Sequence, residues 1–322
     1  MKYKLLGSTG VKVSSLCFGT MSFGGDADKE TSRAMFNLCR DRGINFFDTA
    51  NIYSQGVSEE FLGEFIRGCR DELVISSKVC GKIGTDINAQ GLSRRHIMQA
   101  VEGSLRRLGT DRIDLYFVHN VDFDTPIEET LRALDDLQRQ GKIIYPAVSN
   151  WSAWQIAKAL GISENKGLAR FVCIQPMYNL VKRQVEVEIL PLAASENLGV
   201  ITYSPLGGGL LTGKYGIDNK AAGGRLVDNS MYRKRYGSDV YYQVAEKFNQ
   251  YAYDQGIHPA TLAVAWVMSH PHVTAPIIGA RNVEQLERSL AAVEIEMTLE
   301  QRHEISRLSP TPPPATDRSE NK

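Results

Sequence analysis

Short apolar runs alternate along the chain with longer segments in which apolar residues recur at helical spacing. The short runs, rich in Val, Ile, Leu and Phe, are typical of buried strands, and the longer segments of amphipathic helices. Ser, Pro and Gly at the segment ends fit helix caps. The predicted strands cover 16–21, 44–48, 73–78, 113–119, 143–149, 171–175, 200–203 and 274–278. The predicted helices cover 29–43, 58–67, 93–108, 125–141, 153–160, 185–197, 239–255, 259–269 and 283–292.

This alternation predicts an α/β fold, a (β/α)8 TIM barrel that forms one domain over residues 1–308. Segments 3–6 and 11–13 flank a Gly-Ser-Thr-Gly turn and predict an N-terminal β-hairpin. A doubly wound open sheet is the alternative, and it is disfavoured because no Gly-x-Gly-x-x-Gly turn follows the first strand. The connection 206–237 is longer than ordinary βα loops, and such loops are usually functional or mobile. The tail 309–322 is rich in Pro, Ser and charge and is predicted to be disordered.

Polar side chains follow nearly every predicted strand. In a barrel the carboxyl ends of all strands meet at one face, where chemistry is placed. Each residue alone has a structural explanation, such as a turn cap or a hydrogen-bonded core histidine, but their shared position at one rim predicts a functional site. The strand-end residues are Thr20, Asp48, Lys78, His119, Ser149, Asn150, Gln175, Tyr203, Ser204, Gly279 and Arg281.

The first half of this rim predicts carbonyl chemistry. A buried Asp48 needs a cation, and Lys78 ends the neighbouring strand. Tyr53 follows Asp48 closely, and a nearby ammonium lowers the pKa of a phenol, so Tyr53 is predicted to be a proton donor. His119 is expected to hydrogen-bond the same substrate oxygen or to relay the proton. The nucleophile must then come from a cofactor, unless Lys78 itself attacks as in a Schiff-base lyase.

The second half of the rim predicts a dinucleotide site. Ser149, Asn150 and Gln175 suit a carboxamide, and Tyr203 offers a face for ring stacking. The backbone-rich turn 204–209 suits a pyrophosphate, and the start of the last helix with Arg281 suits one further phosphate, so NADPH is preferred to NADH. The predicted cofactor contacts are Gly19, Thr20, Met21, Asp48, Ser149, Asn150, Gln175, Tyr203, Ser204, Pro205, Leu206, Gly207, Lys214, Arg225, Gly279 and Arg281.

The composition of the chain limits the kinds of partner that it is expected to bind. Lys plus Arg and Asp plus Glu number 37 each, which gives no net field to attract nucleic acid or an acidic membrane. The five cysteines are scattered, which favours reduced thiols and a cytoplasmic protein. The N-terminus does not fit a signal peptide, and no apolar run could span a bilayer. A small carbonyl substrate is the expected partner, and a homo-oligomer is left open.

Taken together, these residues resemble the aldo-keto reductase family from the hairpin to about residue 295. The bacterial branch that includes the potassium-channel β-subunits is the most similar, judging from Ser-Pro-Leu-Gly-Gly-Gly-Leu-Leu-Thr-Gly-Lys and Gly-Ala-Arg-Asn-Val-Glu-Gln-Leu. The other motifs that carry the resemblance are Phe-Asp-Thr-Ala with Tyr53, Ser76-Ser77-Lys78, Asp114 to His119, Gly-Lys-Ile ahead of Val148-Ser149-Asn150, Gln175-Pro176-Met177-Tyr178-Asn179, Tyr203-Ser204-Pro205-Leu206 and Ile278 to Arg281.

The resemblance implies NADPH-dependent reduction of aldehydes and ketones, with Tyr53 as general acid in a tetrad with Asp48, Lys78 and His119. It implies that Arg281 and Gln285 hold the 2′-phosphate end. Relatives have Glu-Asn on the adenine side where this chain has Arg288-Ser289, so the contact of Ser289 is left open.

For the substrate, the residues indicate a pocket walled by Met21, Phe23, Tyr53, Asn120 and Trp151, with His119 on the reacting oxygen. An NADP(H)-binding redox sensor that partners a membrane protein, as the channel subunits do, is the remaining alternative to an enzyme.

Overall fold

The strands of the computed structural model, which describes residues 1–216, 223–316, 318 and 320, are short and mostly buried. β1 and β2 form an antiparallel hairpin, and the other eight close into a parallel barrel in the order β10-β3-β4-β5-β6-β7-β8-β9. The predicted TIM barrel and its hairpin are therefore confirmed. The strands are β1 (Tyr3–Leu5), β2 (Lys12–Ser14), β3 (Cys17–Gly19), β4 (Phe46–Asp48), β5 (Val74–Val79), β6 (Ile113–Val118), β7 (Ile143–Ser149), β8 (Cys173–Gln175), β9 (Gly199–Thr202) and β10 (Ala275–Ile278).

Helices follow the strands and surround the barrel. Many carry the caps that the sequence suggests; Asp28, Ser93 and Asn282, for example, each accept a backbone N–H at a helix start. The helices are α1 (Lys29–Asp41), α2 (Val57–Phe65), α3 (Arg94–Leu108), α4 (Ile127–Arg139), α5 (Ala153–Lys166), α6 (Ile189–Ser195), α7 (Arg225–Asp228), α8 (Ser230–Tyr236), α9 (Asp239–Asp254), α10 (Pro259–Met268), α11 (Val283–Leu290) and α12 (Leu299–Ser306).

Two core layers hold the barrel together. One lies inside the barrel, where Phe46, Leu115 and Phe117 pack with Leu6 and Val13 of the hairpin region, so the hairpin closes the amino-terminal end. The second and larger layer lies between the sheet and the helices. Because one end of the barrel is closed by apolar side chains, only the carboxyl-terminal end is open for a ligand.

Three elements differ from the sequence prediction. The helix predicted over 185–197 is a 3-10 turn at Gln184–Glu186 followed by α6, because Pro191 has no N–H and fits only the first turn of a helix. The connection 206–237 contains a 3-10 segment at Gly207–Thr212 and helices α7 and α8. Helix α12 was not predicted, because it has only two buried residues, Arg302 and Ile305, and therefore no clear apolar stripe.

Parts of two further predictions fall outside the described residues, namely 217–222 of the long connection and 317, 319, 321 and 322 of the tail. The domain boundary at 308 and the disorder of the tail stay predictions. None of the helices in the described ranges is long and apolar enough to cross a bilayer.

Candidate active site

A cleft of about 600 Å³ opens at the carboxyl ends of the barrel strands. Parallel pairing sets Asp48 beside Ser76 and Ser149 beside Gln175, so polar residues of neighbouring strands come to one level. Most of the residues predicted for the site line this one cleft. They are Gly19, Met21, Asp48, Tyr53, His119, Asn120, Ser149, Asn150, Gln175, Tyr203, Ser204, Pro205, Leu206, Lys214, Gly279, Arg281 and Gln285.

The Lys78 ammonium is the centre of a buried hydrogen-bond network beneath the cleft. Its Nζ donates to Asp48 Oδ2 at 2.6 Å, to the Thr49 carbonyl oxygen at 2.7 Å and to Tyr53 Oη at 3.3 Å. An ammonium has three donors, and all three are engaged. Lys78 is fully buried, so it acts on the cleft only through these partners.

The Asp48 carboxylate is held on its other oxygen as well. Oδ1 accepts hydrogen bonds from Ser76 Oγ at 2.6 Å and from Gln175 Nε2 at 3.0 Å. A carboxylate fixed on both oxygens cannot rotate away from Lys78. Gln175 was predicted to bind a carboxamide, and the structure shows that its amide N–H already contacts Asp48.

Charge interactions keep Lys78 protonated. Burial disfavours the ammonium, but Asp48 and then Tyr53 outweigh burial, and the pKa of Lys78 is raised above its usual value. A lysine that attacks a carbonyl must be neutral. The raised pKa therefore counts against Lys78 as a nucleophile.

The pKa of Tyr53 does not follow the sequence prediction. Burial raises it, the Lys78 charge opposes that rise, and the net direction is upward. The expectation that Lys78 lowers the pKa overall is wrong, because a buried phenolate loses more hydration than one ammonium restores. Tyr53 is consequently protonated at neutral pH and retains a proton to give.

Tyr53 is carried by a turn with unusual backbone angles. Ser54, Gln55 and Gly56 all have positive φ, at 47°, 55° and 99°. Ser54 Oγ donates to the Phe23 carbonyl at 2.8 Å, which ties the turn to the loop after β3. Because such angles are unfavourable for residues other than glycine, tertiary contacts must hold the turn that positions the phenol.

His119 is a neutral imidazole beside this phenol. Its ring lies edge-on to the Tyr53 ring, with centroids 5.9 Å apart. Burial, and then the Lys78 charge, lower the pKa of His119 to about 3. A neutral imidazole keeps one N–H donor, so His119 can bind a carbonyl oxygen without being charged.

Asn150 and Tyr203 link the other half of the rim to His119. Asn150, with φ of 61°, donates from Nδ2 to the His119 carbonyl oxygen at 2.9 Å. Tyr203 Oη donates to Asn150 Oδ1 at 2.7 Å, and Ser149 Oγ donates to the Gln175 carbonyl oxygen at 2.9 Å. The predicted carboxamide-binding groups are thus adjacent to the Tyr53–His119 pair.

The opposite end of the cleft is cationic. Arg281 Nε lies 3.0 Å from Asp26 Oδ2, and Gln285 Oε1 accepts the Arg281 backbone N–H at 3.2 Å. Lys214 and Arg288 line the same cleft. The backbone of Arg225 opens α7, and its side chain lies outside the described part of the structure.

Besides Lys78, five predicted residues lie away from the cleft lining. Phe23, predicted to wall the substrate pocket, is buried against Phe18 and Phe65. Thr20 is buried and bonds the Asp48 carbonyl oxygen and Ser58. Trp151, a predicted substrate contact, is buried against Phe171 and donates from Nε1 to the Asn120 carbonyl oxygen. The other two, Gly207 and Ser289, are buried beside the cleft.

Several cleft residues were missed by the sequence analysis. Met231, Tyr232 and Arg235 reach the cleft from α8, and Tyr215 and His258 line it as well. The run Met231-Tyr232-Arg233-Lys234-Arg235-Tyr236 combines aromatic and basic residues inside a long connection, which was the available signal. Within the described residues, no cluster of His, Cys, Asp and Glu could hold a metal ion.

Comparison with known proteins identifies relatives over nearly the whole chain. The sequence model of the Aldo/keto reductase family matches residues 15–310. "Uncharacterized oxidoreductase YrpG" from Bacillus subtilis (strain 168) is 38% identical over 323 residues, covering 97% of both chains. "Probable voltage-gated potassium channel subunit beta" from Arabidopsis thaliana is 38% identical and covers 92% of both chains. "Norsolorinic acid reductase" from Aspergillus flavus is 34% identical, covering 95% of this chain and 80% of that protein. The similarity to channel β-subunits confirms the predicted branch.

Proposed function

Because the chain belongs to the aldo/keto reductase family, we propose that it reduces aldehydes and ketones to alcohols with NADPH as the source of hydride. One observation supports this more than any other. Lys78 donates to the oxygen of Tyr53, so the proton of the phenol is not used by Lys78 and is available to a ligand in the cleft. Family membership supports an oxidoreductase, and the choice of NADPH and the roles of the residues are our proposal.

The reaction needs a hydride for the carbonyl carbon and a proton for the carbonyl oxygen. A reduced nicotinamide, when bound, would supply the hydride and would itself be oxidised. Tyr53 gives its proton to the oxygen as the alcohol O–H bond forms, and the phenolate that remains lies against the Lys78 ammonium. The neutral His119 donates an N–H to the same oxygen and stabilises its developing negative charge. Asp48 keeps Lys78 charged and fixed.

The donor set of the cleft suits this cofactor. Amide and hydroxyl groups of Asn150 and Ser149 lie near the Tyr53–His119 pair, as a carboxamide requires. Consecutive positive φ values at Gly207, Gly208 and Gly209 give the turn after β9 a shape that exposes backbone to a ligand.

The cations at the far end favour NADPH over NADH. Lys214, Arg281 and Arg288 would hold its phosphates, with Arg281 on the additional phosphate that distinguishes NADPH from NADH. The space and the charge of the cleft thus fit a dinucleotide.

The Schiff-base alternative is disfavoured by the network around Lys78. Its ammonium is buried, its pKa is raised and its three donors are occupied. Reduction with borohydride in the presence of an aldehyde should therefore leave Lys78 unmodified. A regulatory NADP(H)-binding subunit would not need an intact proton donor, so turnover decides between it and an enzyme.

The deciding experiment compares wild type with Tyr53→Phe in steady-state oxidation of NADPH and of NADH by a simple neutral aldehyde. We expect wild type to turn over faster with NADPH, and Tyr53→Phe to lose roughly 100- to 10,000-fold in kcat, the range for a general acid, with NADPH affinity retained. Tyr3→Phe is the matched control, because Tyr3 lies on the hairpin at the closed end of the barrel. Equal kcat values for wild type and Tyr53→Phe would refute the mechanism.

A further inference from the structure

The α8 helix brings a cation to the reactive half of the cleft. Arg235 is half-buried and lines the cleft, and its guanidinium lies 5.6 Å from the centre of the Tyr232 ring. The pKa of Tyr53 is raised chiefly by burial, and Tyr232 adds to that rise, so Tyr232 is within electrostatic range of the proton donor. One aromatic residue, Tyr232, thus connects Arg235 with the proposed general acid.

The charge of Arg235 also acts on Tyr203, a second aromatic residue of the cleft lining. Burial raises the pKa of Tyr203, and the positive charge of Arg235 opposes that rise. Tyr203 Oη donates to Asn150, which donates to the His119 carbonyl oxygen. The charge of Arg235 therefore acts on the half of the cleft that contains His119 and Tyr53.

The charge of Arg235 has no counterion within the described part of the chain. Two other cations of the barrel rim are paired, Lys78 with Asp48 and Arg281 with Asp26. The contacts found for Arg235 among the described residues are the face of Tyr232 and the sulfur of Met231 at 3.8 Å. A half-buried guanidinium without a carboxylate is a strong binding group for an anion.

The phosphates of a dinucleotide have other cations to meet them. Lys214, Arg281 and Arg288 line the far end, where Arg281 is bonded to Gln285 and the Arg288 carbonyl oxygen accepts from Thr261. Arg235 instead contacts Tyr232 on α8, and its charge acts on Tyr203, which is hydrogen-bonded to Asn150. We therefore assign the anion that Arg235 would bind to the carbonyl substrate and not to the dinucleotide.

We propose that Arg235 is a specificity residue that selects carbonyl substrates bearing an anionic group, a carboxylate or a phosphate. This inference rests on the proposed carbonyl reduction and adds the substrate class. The guanidinium forms charge-assisted hydrogen bonds with the anion, while Tyr232 and Met231 contact the apolar part of the substrate. A neutral aldehyde of the same shape lacks the anion and leaves Arg235 unpaired.

The test uses two matched pairs of substrates with wild type, Arg235→Met, Arg235→Lys and Lys234→Met. The pairs are para-carboxybenzaldehyde with its methyl ester, and glyceraldehyde phosphate with glyceraldehyde. We expect kcat/KM of wild type to favour the charged member of at least one pair, which also identifies carboxylate or phosphate. Arg235→Met should reduce that ratio roughly 10- to 100-fold, as for the loss of one hydrogen bond to a charged group, and Arg235→Lys should restore part of it.

Lys234→Met is the control for helix α8, because Lys234 is exposed and outside the cleft lining. It should keep the wild-type ratio. A charge preference absent in wild type, or unchanged in Arg235→Met, would overturn the proposal. So would a loss of NADPH affinity in Arg235→Met that accounts for the whole effect, since Arg235 would then bind the cofactor.

Calorimetry separates this inference from the proposed function. In the Tyr53→Phe background, which should bind without turnover, the carboxylate aldehyde should bind roughly 10- to 100-fold more weakly after Arg235→Met is added. Charge-dependent binding without reduction in the Tyr53-containing protein would sustain the role of Arg235 and refute the reductase. Reduction of the neutral aldehydes without any charge preference would sustain the reductase and refute the role of Arg235.

Discussion

Lys78 Nζ and Asp48 Oδ2 are 2.6 Å apart, and the side chains are 0% and 3% exposed. A buried ion pair of this kind contributes little net stability as a pair, because desolvation offsets most of the attraction. Removing one partner is different, since it leaves an uncompensated buried charge. Loss of either partner should therefore change both the unfolding free energy and the position of Lys78 beside Tyr53.

Asp48→Asn should separate these two effects. We expect the free energy of unfolding to fall by about 3–5 kcal/mol, because the Lys78 charge is left buried without its counterion. Urea unfolding measures this loss, and kcat should fall as well because Lys78 is no longer held beside Tyr53. The double variant Asp48→Asn/Lys78→Met should recover part of the stability but none of the turnover. A double variant that is as unstable as the two single losses added together would contradict the ion-pair explanation.

Gly56→Ala should displace the turn that carries Tyr53. The added Cβ would lie 2.8 Å from Arg107 Cδ and 2.9 Å from Arg107 Nε, at a φ of +99°. Arg107 cannot easily move, because its Nε donates to the buried Glu59 carboxylate at 2.7 Å. We expect kcat to fall roughly 10- to 100-fold, as for a reacting group displaced by about 1 Å.

Gly141→Ala is the matched control for this variant. Gly141 also has a positive φ, +73°, but nothing lies within 4 Å of its added Cβ. Both variants should lose about 1–2 kcal/mol of unfolding free energy from the backbone angle alone. Gly56→Ala should lose more unfolding free energy than Gly141→Ala, and kcat should fall in Gly56→Ala alone. Equal effects of the two substitutions would show that the Arg107 contact does not position Tyr53.

His119 should make the protein less stable in acid. The pKa of His119 is about 3 in the folded protein and 6.5 for an exposed imidazole, so between these values the unfolded chain binds one more proton than the folded protein. Stability contributed by neutral His119 is complete above pH 6.5 and is lost as the pH falls towards 3.

His119→Gln should remove this dependence. The slope of unfolding free energy against pH between 6.5 and 4 should be shallower than in wild type by up to about 1.4 kcal/mol per pH unit. Urea unfolding at several pH values measures both slopes. Identical slopes would mean that His119 accepts a proton in the folded protein as readily as in the unfolded chain.

The fold and most of the residues at the barrel rim follow from local sequence patterns. Alternation of strand and helix periods fixes which short segments are buried, and parallel closure then brings their carboxyl ends together. For this reason Asp48, Lys78 and His119 could be placed at one site from local patterns. Tyr53 could be assigned to the same site because it is close to Asp48 in the chain.

Side-chain contacts between segments that are distant in the chain could be read only from the tertiary structure. The Gln175 amide donates a hydrogen bond to Asp48, 127 residues away in the chain, and no periodicity predicts this contact with the ion pair. Trp151 packs inward against Phe171, and α8 brings Arg235 into the lining of the cleft that contains the proton donor. The rise in the pKa of Tyr53 also could not be predicted from local sequence, because desolvation depends on every group packed around the phenol. Local sequence specifies which face of an element a residue occupies, and packing specifies what that residue meets there.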